Sequence, residues 1–138
     1  MAIHKWRKVS TRHFGKVWVP LAQVDLRTAQ GSFKSFALQI DSGAVVSLLR
    51  KSTAASLGIS LESGRKIDLS SVGGGGTTAF VHIIQTRFDD GIEFPVPYAI
   101  AEKETVPNLL GRLGVFDQLQ IHFDGQCMET RISDHLMR

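Results

Sequence analysis

Hydrophobic and polar residues alternate in several short runs, the two-residue period of strands that bury one face. Val17, Val19 and Leu21 share one phase, and Val24 and Leu26 resume in the other beside Pro20. This phase slip predicts one long strand carrying a bulge. Phe36, Leu38 and Ile40 alternate and run directly into Asp41, Ser42 and Gly43, so a polar loop should close a buried strand. Val45, Val46, Leu48 and Leu49 form a second short apolar run. Residues 51–57 suit a short helix, with Gly58 placed to end it in the left-handed conformation.

Further on, Ile67 and Leu69 alternate towards Ser71, four glycines follow, and residues 77–88 are rich in strand formers. Two apolar strands around a glycine-rich tip predict a projecting hairpin. Asp89, Asp90 and Gly91 turn the chain into residues 92–100, where Pro95 and Pro97 restrict the segment to an edge or bulged strand. Pro107 and Asn108 precede Leu109, Leu110 and Gly111, and residues 115–118 suit a helical turn. Leu119, Ile121 and Phe123 alternate again, Asp124 and Gly125 turn, and residues 127–132 suit a last strand. Many short strands with one or two short helices make a mostly-β domain.

A chain of 138 residues, 43% hydrophobic and 21% charged, is expected to form one domain. At this size about two-thirds of the unfolded surface is buried, so a core forms without metal or disulfide support. Disorder, collagen-like repeats and disulfide scaffolds are excluded. The single cysteine, Cys127, cannot pair within the chain and leans towards a reducing compartment. Sixteen bases face thirteen acids, but the excess sits at one end: Lys5, Arg7, Lys8, Arg12 and Lys16 all precede the first acid, Asp25. Residues 1–16 therefore read as a basic N-terminal arm and residues 17–138 as the domain. Trp6, Val9 and Phe14 are isolated, unlike the apolar core of a secretory signal. Nothing approaches the ~18–20 apolar residues of a membrane span. The expectation is a cytoplasmic protein with no membrane span.

The strongest chemical candidate is Asp41, Ser42, Gly43 and Ala44. An Asp-Ser-Gly string also makes an ordinary turn, because Asp and Ser bond their own backbone and Gly accepts positive φ. Here, however, apolar strand sequence flanks the acid on both sides. A carboxylate in such surroundings is costly to keep ionised without compensation, which marks it as a functional candidate.

This strand ending in Asp-Ser-Gly-Ala, the glycine-rich hairpin about thirty residues on, and Leu109, Leu110, Gly111 and Arg112 after Pro107 and Asn108 resemble the retropepsin-like aspartic proteases. The likeness runs in order from about Val17 to Asp124 and is nearest to small bacterial members related to retroviral proteases. It implies a closed, mostly antiparallel β-barrel-like lobe of acid protease type with a flap. Asp41 would be the catalytic acid, and the Ser42 hydroxyl would lock two active-site loops together across a dimer axis. Gly43 would admit substrate backbone and Ala44 would shape the floor. Val72, Gly73, Gly74, Gly75 and Gly76 would form the flap tip. Leu109, Leu110 and Gly111 would support the catalytic loop, with Arg112 following.

Amide hydrolysis by this route needs two carboxyls, one as base towards water and one as acid towards the carbonyl oxygen. The chain holds no second Asp-Ser/Thr-Gly. The expected partners are therefore a second copy of the chain, forming a homodimer with Asp41 on its axis, and a peptide or protein substrate. No cofactor is expected. Two positions depart from the retroviral pattern: Val45 stands where an acid usually follows the Ala, leaving Arg112 to find another partner, and Gln39 replaces an apolar residue. These departures sustain a rival reading, a module of the same fold that binds peptide or dimerises without cutting.

Other features are weaker. The glycine run lacks the Lys and following helix of a phosphate-binding loop. The five histidines lack metal-ligand spacing, so no metal is expected. Asp89 and Asp90 suit a solvated turn, and Trp6 and Trp18 suit packing against the body. The basic arm could meet nucleic acid or an anionic membrane surface, but a solvated or interface-forming terminus is the simpler reading, and a nucleic-acid partner is not expected. The resemblance also allows the arm or the tail at residues 131–138 to build the dimer interface.

Overall fold

In the computed structural model, residues 1–70, 76–89 and 91–134 are described. The chain opens with β1 (Ala2–Lys5), β2 (Arg7–Thr11) and β3 (Gly15–Val19). The bulged strand expected across Pro20 is two strands: β3 ends at Val19, and β4 (Leu21–Arg27) begins a different sheet. Proline lacks the N–H that a ladder needs, so pairing changes there. Its carbonyl is still used, accepting the Ile40 N–H at 3.0 Å.

The pattern then unfolds as β5 (Phe33–Ile40), β6 (Ser47–Leu49), α1 (Lys51–Ser56), a single 3-10 turn (Leu61–Ser63), β7 (Arg65–Ser70), β8 (Gly76–Asp89) and β9 (Ile92–Ala101). Two-residue β10 (Leu109–Leu110), β11 (Leu119–Asp124) and β12 (Glu129–Asp134) complete it. The expected helical turn at residues 115–118 is present as hydrogen-bonded turns, with Val115 and Phe116 both bonding the Arg112 carbonyl at 3.0 Å. Helix α1 ends as expected, with Gly58 at a φ of 71°.

Seven strands form the main sheet in the order β4-β5-β10-β6-β9-β8-β7. A further pairing of β4 with β8, Asp25 opposite Arg87 and Leu26 opposite Thr86, closes six of them into a barrel and leaves β7 outside on β8. Most pairings are antiparallel, but β10 runs parallel to β5 and β6 parallel to β9. The proline-containing strand is interior at one end only. Residues 98–100 of β9 pair with β6, whereas Pro95 and Pro97 pair with β8 alone. Both prolines thus occupy an edge, with a bulge in β8 between Arg87 and Asp89.

The barrel interior is filled by Leu26, Leu38, Leu49, Tyr98, Ile100 and Leu110, all fully buried. The Thr86 hydroxyl donates to the Ile84 carbonyl at 3.0 Å, so the Tyr98 hydroxyl donates to Thr86 at 2.9 Å, and neither buried oxygen is left unpaired. Strands β1, β12 and β11 make a three-stranded sheet, and β2 with β3 a separate hairpin. Lys5 bonds Glu129 at 2.8 Å and Arg131 bonds Glu129 at 3.0 Å on the first of these sheets. His4 Nδ1 accepts the Gln23 N–H at 2.9 Å, tying β1 to β4. Among the described residues no helix is long and apolar enough to cross a membrane.

A charged strap crosses the seam that closes the barrel. The Arg87 guanidinium donates to Asp25 through Nε at 3.1 Å and Nη2 at 3.0 Å, and stacks 4.2 Å above the Phe33 ring. The Ser35 hydroxyl, then Arg87, hold the Asp25 carboxyl below its usual range. A carboxyl depressed in the folded state stabilises above its unfolded pKa of about 3.9 and loses that effect as pH falls through the folded value. Asp25→Asn should therefore lower the urea midpoint at neutral pH. The gap to wild type should narrow below about pH 4, measured at one fixed protein concentration.

Candidate active site

Strand β5 delivers Asp41. Ile40 is buried at its end, and the next residue leaves the sheet as a turn in which Ala44 N–H bonds the Asp41 carbonyl at 3.2 Å. Asp41 Oδ1 accepts the Gly43 N–H at 2.9 Å, so the carboxyl is aimed by its own loop. A Cβ at Gly43 would lie 3.2 Å from that oxygen and press on it. Asp41 is half-buried, while Ser42 and Gly43 are exposed. The Ser42 hydroxyl has no hydrogen-bond partner among the described residues.

Strand β10 holds this loop from behind. Leu109 lies opposite Gln39 on β5 and opposite Leu48 on β6, and Leu110 lies opposite Ile40. The Leu110 carbonyl accepts the Asp41 N–H at 2.9 Å, and the Asn108 carbonyl accepts the Gln39 N–H at 3.0 Å. Beyond it, Arg112 N–H bonds the Ala44 carbonyl at 2.9 Å and Leu113 N–H the Val45 carbonyl at 2.8 Å. Gly111 passes so close that an added Cβ would meet the Val46 carbonyl carbon and oxygen at 2.6 Å. Only glycine fits that approach without backbone movement.

Arg112 has a partner that sequence alone does not reveal: Nη1 donates to the Ser42 carbonyl at 2.7 Å. With Val45 in place of an acid, and 63% exposed, the guanidinium clamps the backbone of the Asp41 loop instead. Two further residues escaped the sequence reading. The buried Ser47 hydroxyl accepts the Gly111 N–H at 3.0 Å. Asn108 Oδ1 accepts the Arg50 N–H at 3.0 Å and the Thr53 hydroxyl at 3.2 Å, fixing the start of α1 to the approach of β10. A serine inside the apolar run at residues 45–49 was the available signal for the first.

A cleft of about 460 Å³ opens beside the loop, lined by Ala44, Val45, Val46, Leu48, Leu69 and Leu109 with Ser70, Gly76, Thr77 and Lys103. It therefore joins the Asp41 loop to the base of the β7–β8 hairpin, where Ser70 pairs with Gly76 and Lys103 Nζ donates to the Gly76 carbonyl at 3.1 Å. Of the residues expected to form a flap tip only Gly76 is described; Val72, Gly73, Gly74 and Gly75 lie outside the described residues. A slightly larger hollow of about 530 Å³, between Arg27, Ser60, His82 and Pro95, contains no residue of the loop at 41–44. The smaller cleft begins at Ala44, at the end of the loop that Asp41 opens.

The arrangement has known counterparts. The aspartyl protease family model matches residues 23–112. Among solved structures, a retropepsin-like aspartic protease from Rickettsia conorii superposes with a TM-score of 0.61 at 15% identity, covering 93% of this chain and 98% of that one. The EIAV protease in complex with the inhibitor HBY-793 superposes with a TM-score of 0.53 at 21% identity, covering 74% of this chain and 88% of that one. No curated protein matches the chain. The family match spans the barrel from β4 to the residue after Gly111, and the chain belongs to the aspartyl protease family with a retropepsin-like fold.

Proposed function

We propose that the chain is an aspartic endopeptidase that works as a homodimer, each subunit contributing Asp41 to a shared pair. One observation carries the reading: a half-buried carboxyl at the end of β5, aimed by the Gly43 N–H and backed by Leu110, beside an apolar cleft. A single Asp-Ser-Gly occurs, so one chain holds half of the acid-base machinery. Two carboxyls about 3 Å apart cannot both ionise and so share one proton, the general behaviour of aspartic protease pairs. The ionised member takes a proton from water as that water attacks the scissile carbonyl. The protonated member donates to the carbonyl oxygen. The resulting tetrahedral diol then gives a hydroxyl proton back to the pair as the C–N bond breaks and the pair protonates the leaving nitrogen, so no covalent enzyme intermediate forms.

The remaining residues take supporting roles. The exposed Ser42 hydroxyl, unpartnered within the described chain, is free to bond across the dimer axis. Arg112 holds the Ser42 carbonyl and thereby the loop that presents that hydroxyl. Val45 and Val46 line a pocket for an apolar substrate side chain, with the β7–β8 hairpin as the flap above an extended peptide. The exposed lone Cys127 suits a reducing compartment such as the cytoplasm.

Cleavage of a peptide library should fall by about a hundredfold or more in Asp41→Asn, with the fold retained by circular dichroism. Equal cleavage by both proteins would remove the mechanism. Gly111→Ala should lower stability by about 1–3 kcal/mol through the forced contact with Val46. It should also lower kcat even at temperatures where the protein remains folded, because Ala44 and Arg112 shift with it.

A further inference from the structure

Among the described residues the β2–β3 hairpin pairs with no other strand, yet its tip is built. Thr11 Oγ1 donates to the Gly15 carbonyl at 2.8 Å and accepts the Phe14 N–H at 3.0 Å, while Gly15 takes a φ of 66°. Those bonds fix a turn that holds the Phe14 ring outward, 82% exposed. The bonded turn therefore sets an aromatic ring in water at a fixed place on the hairpin.

The surroundings of that ring are basic. Lys8, Arg12 and Lys16 are exposed, and no acid occurs before Asp25. The register sets Lys8 opposite Trp18 and Ser10 opposite Lys16, so Lys8, Lys16 and Trp18 share one face. The Lys8 ammonium lies 5.5 Å from the centre of the Trp18 ring, itself 44% exposed. Among the described residues none of these three bases is in a salt bridge. The first acid along the chain, Asp25, is already engaged with Arg87, and Glu129 with Lys5 and Arg131. The hairpin thus presents bases with no acid partner among the described residues, and its turn at residues 12–14 sets the Phe14 ring next to Arg12 and His13.

We propose that the hairpin docks the protein on an anionic lipid surface, Phe14 entering the interfacial layer while Lys8, Arg12 and Lys16 lie against headgroup phosphates. One outward ring flanked by bases favours lipid over nucleic acid. A bilayer offers negative charge outside and apolar material beneath, so the bases can stay at its surface while the ring enters. A nucleic-acid site instead sets rings along a basic groove, where bases can stack on them. Trp18 beside Lys8 suits the headgroup level, where amphipathic rings settle. The docking needs no membrane-crossing helix and leaves the catalytic loop outside the contact.

The test sediments the full-length protein with vesicles of phosphatidylcholine alone and of phosphatidylcholine mixed with phosphatidylglycerol, across a range of salt. Binding to the anionic vesicles only, weakening as salt rises, is the expected result. Arg12→Gln and Lys16→Gln should each weaken it about fivefold at low salt. Phe14→Ser should weaken it with the salt dependence unchanged, since it removes the apolar part alone. All three variants should keep the wild-type circular dichroism spectrum and peptide cleavage. No binding, equal binding to both vesicle types, or a Phe14→Ser protein indistinguishable from wild type would overturn the proposal. So would tighter binding to a single-stranded oligonucleotide that displaces the protein from anionic vesicles.

Discussion

The Leu110 carbonyl accepts the Asp41 N–H, and Arg112, two residues on, returns its own N–H to the Ala44 carbonyl. These bonds seize the loop at residues 41–44 by its first and last residues. They exist because β10 slides between β5 and β6, parallel to one and antiparallel to the other, and because Gly111 passes within contact of the Val46 backbone. A side chain at that point would push β10 off the loop. The carboxyl, the exposed Ser42 hydroxyl and the apolar wall of the cleft all take their positions from this one insertion.

Closure of the barrel serves the same end from the far side. The Asp25 to Arg87 strap joins β4 to β8, so β5, which leads into Asp41, is held by β4 on one edge and β10 on the other. Strand β8 in turn continues to Gly76 at the rim of the cleft. The loop below and the hairpin above are therefore parts of one continuous ladder. That continuity fixes the cleft between the loop that ends at Ala44 and the start of β8 at Gly76.

Local features of this site were legible in the sequence. Alternation in β5 leading into Asp-Ser-Gly-Ala, and the Leu-Leu-Gly-Arg string, state a strand, a loop and its support within a few residues each. The Arg112 partner was not legible, because a backbone carbonyl seventy residues away along the chain leaves no mark in residue types. Asn108 and Glu104 escaped for a related reason: they cap α1 from a distant segment, Glu104 accepting the Ser52 N–H at 2.9 Å. Pro20 misled the reading of β3 and β4, since a phase slip at a proline signals either a bulge or a change of sheet and only the tertiary pairing decides. Pro95 and Pro97 were read as lying on an edge or bulged strand and do occupy an edge, although the same strand becomes interior at Tyr98, the residue after Pro97.

The central claim is that one chain carries half of a catalytic pair. Mixing wild-type protein with increasing amounts of Asp41→Asn, allowing the subunits to exchange, and following peptide cleavage per wild-type chain tests it most directly. The account predicts that activity per wild-type chain falls steadily as mixed dimers replace wild-type dimers. Activity per wild-type chain that stays constant at every mixing ratio, with exchange verified by mass spectrometry, would contradict it.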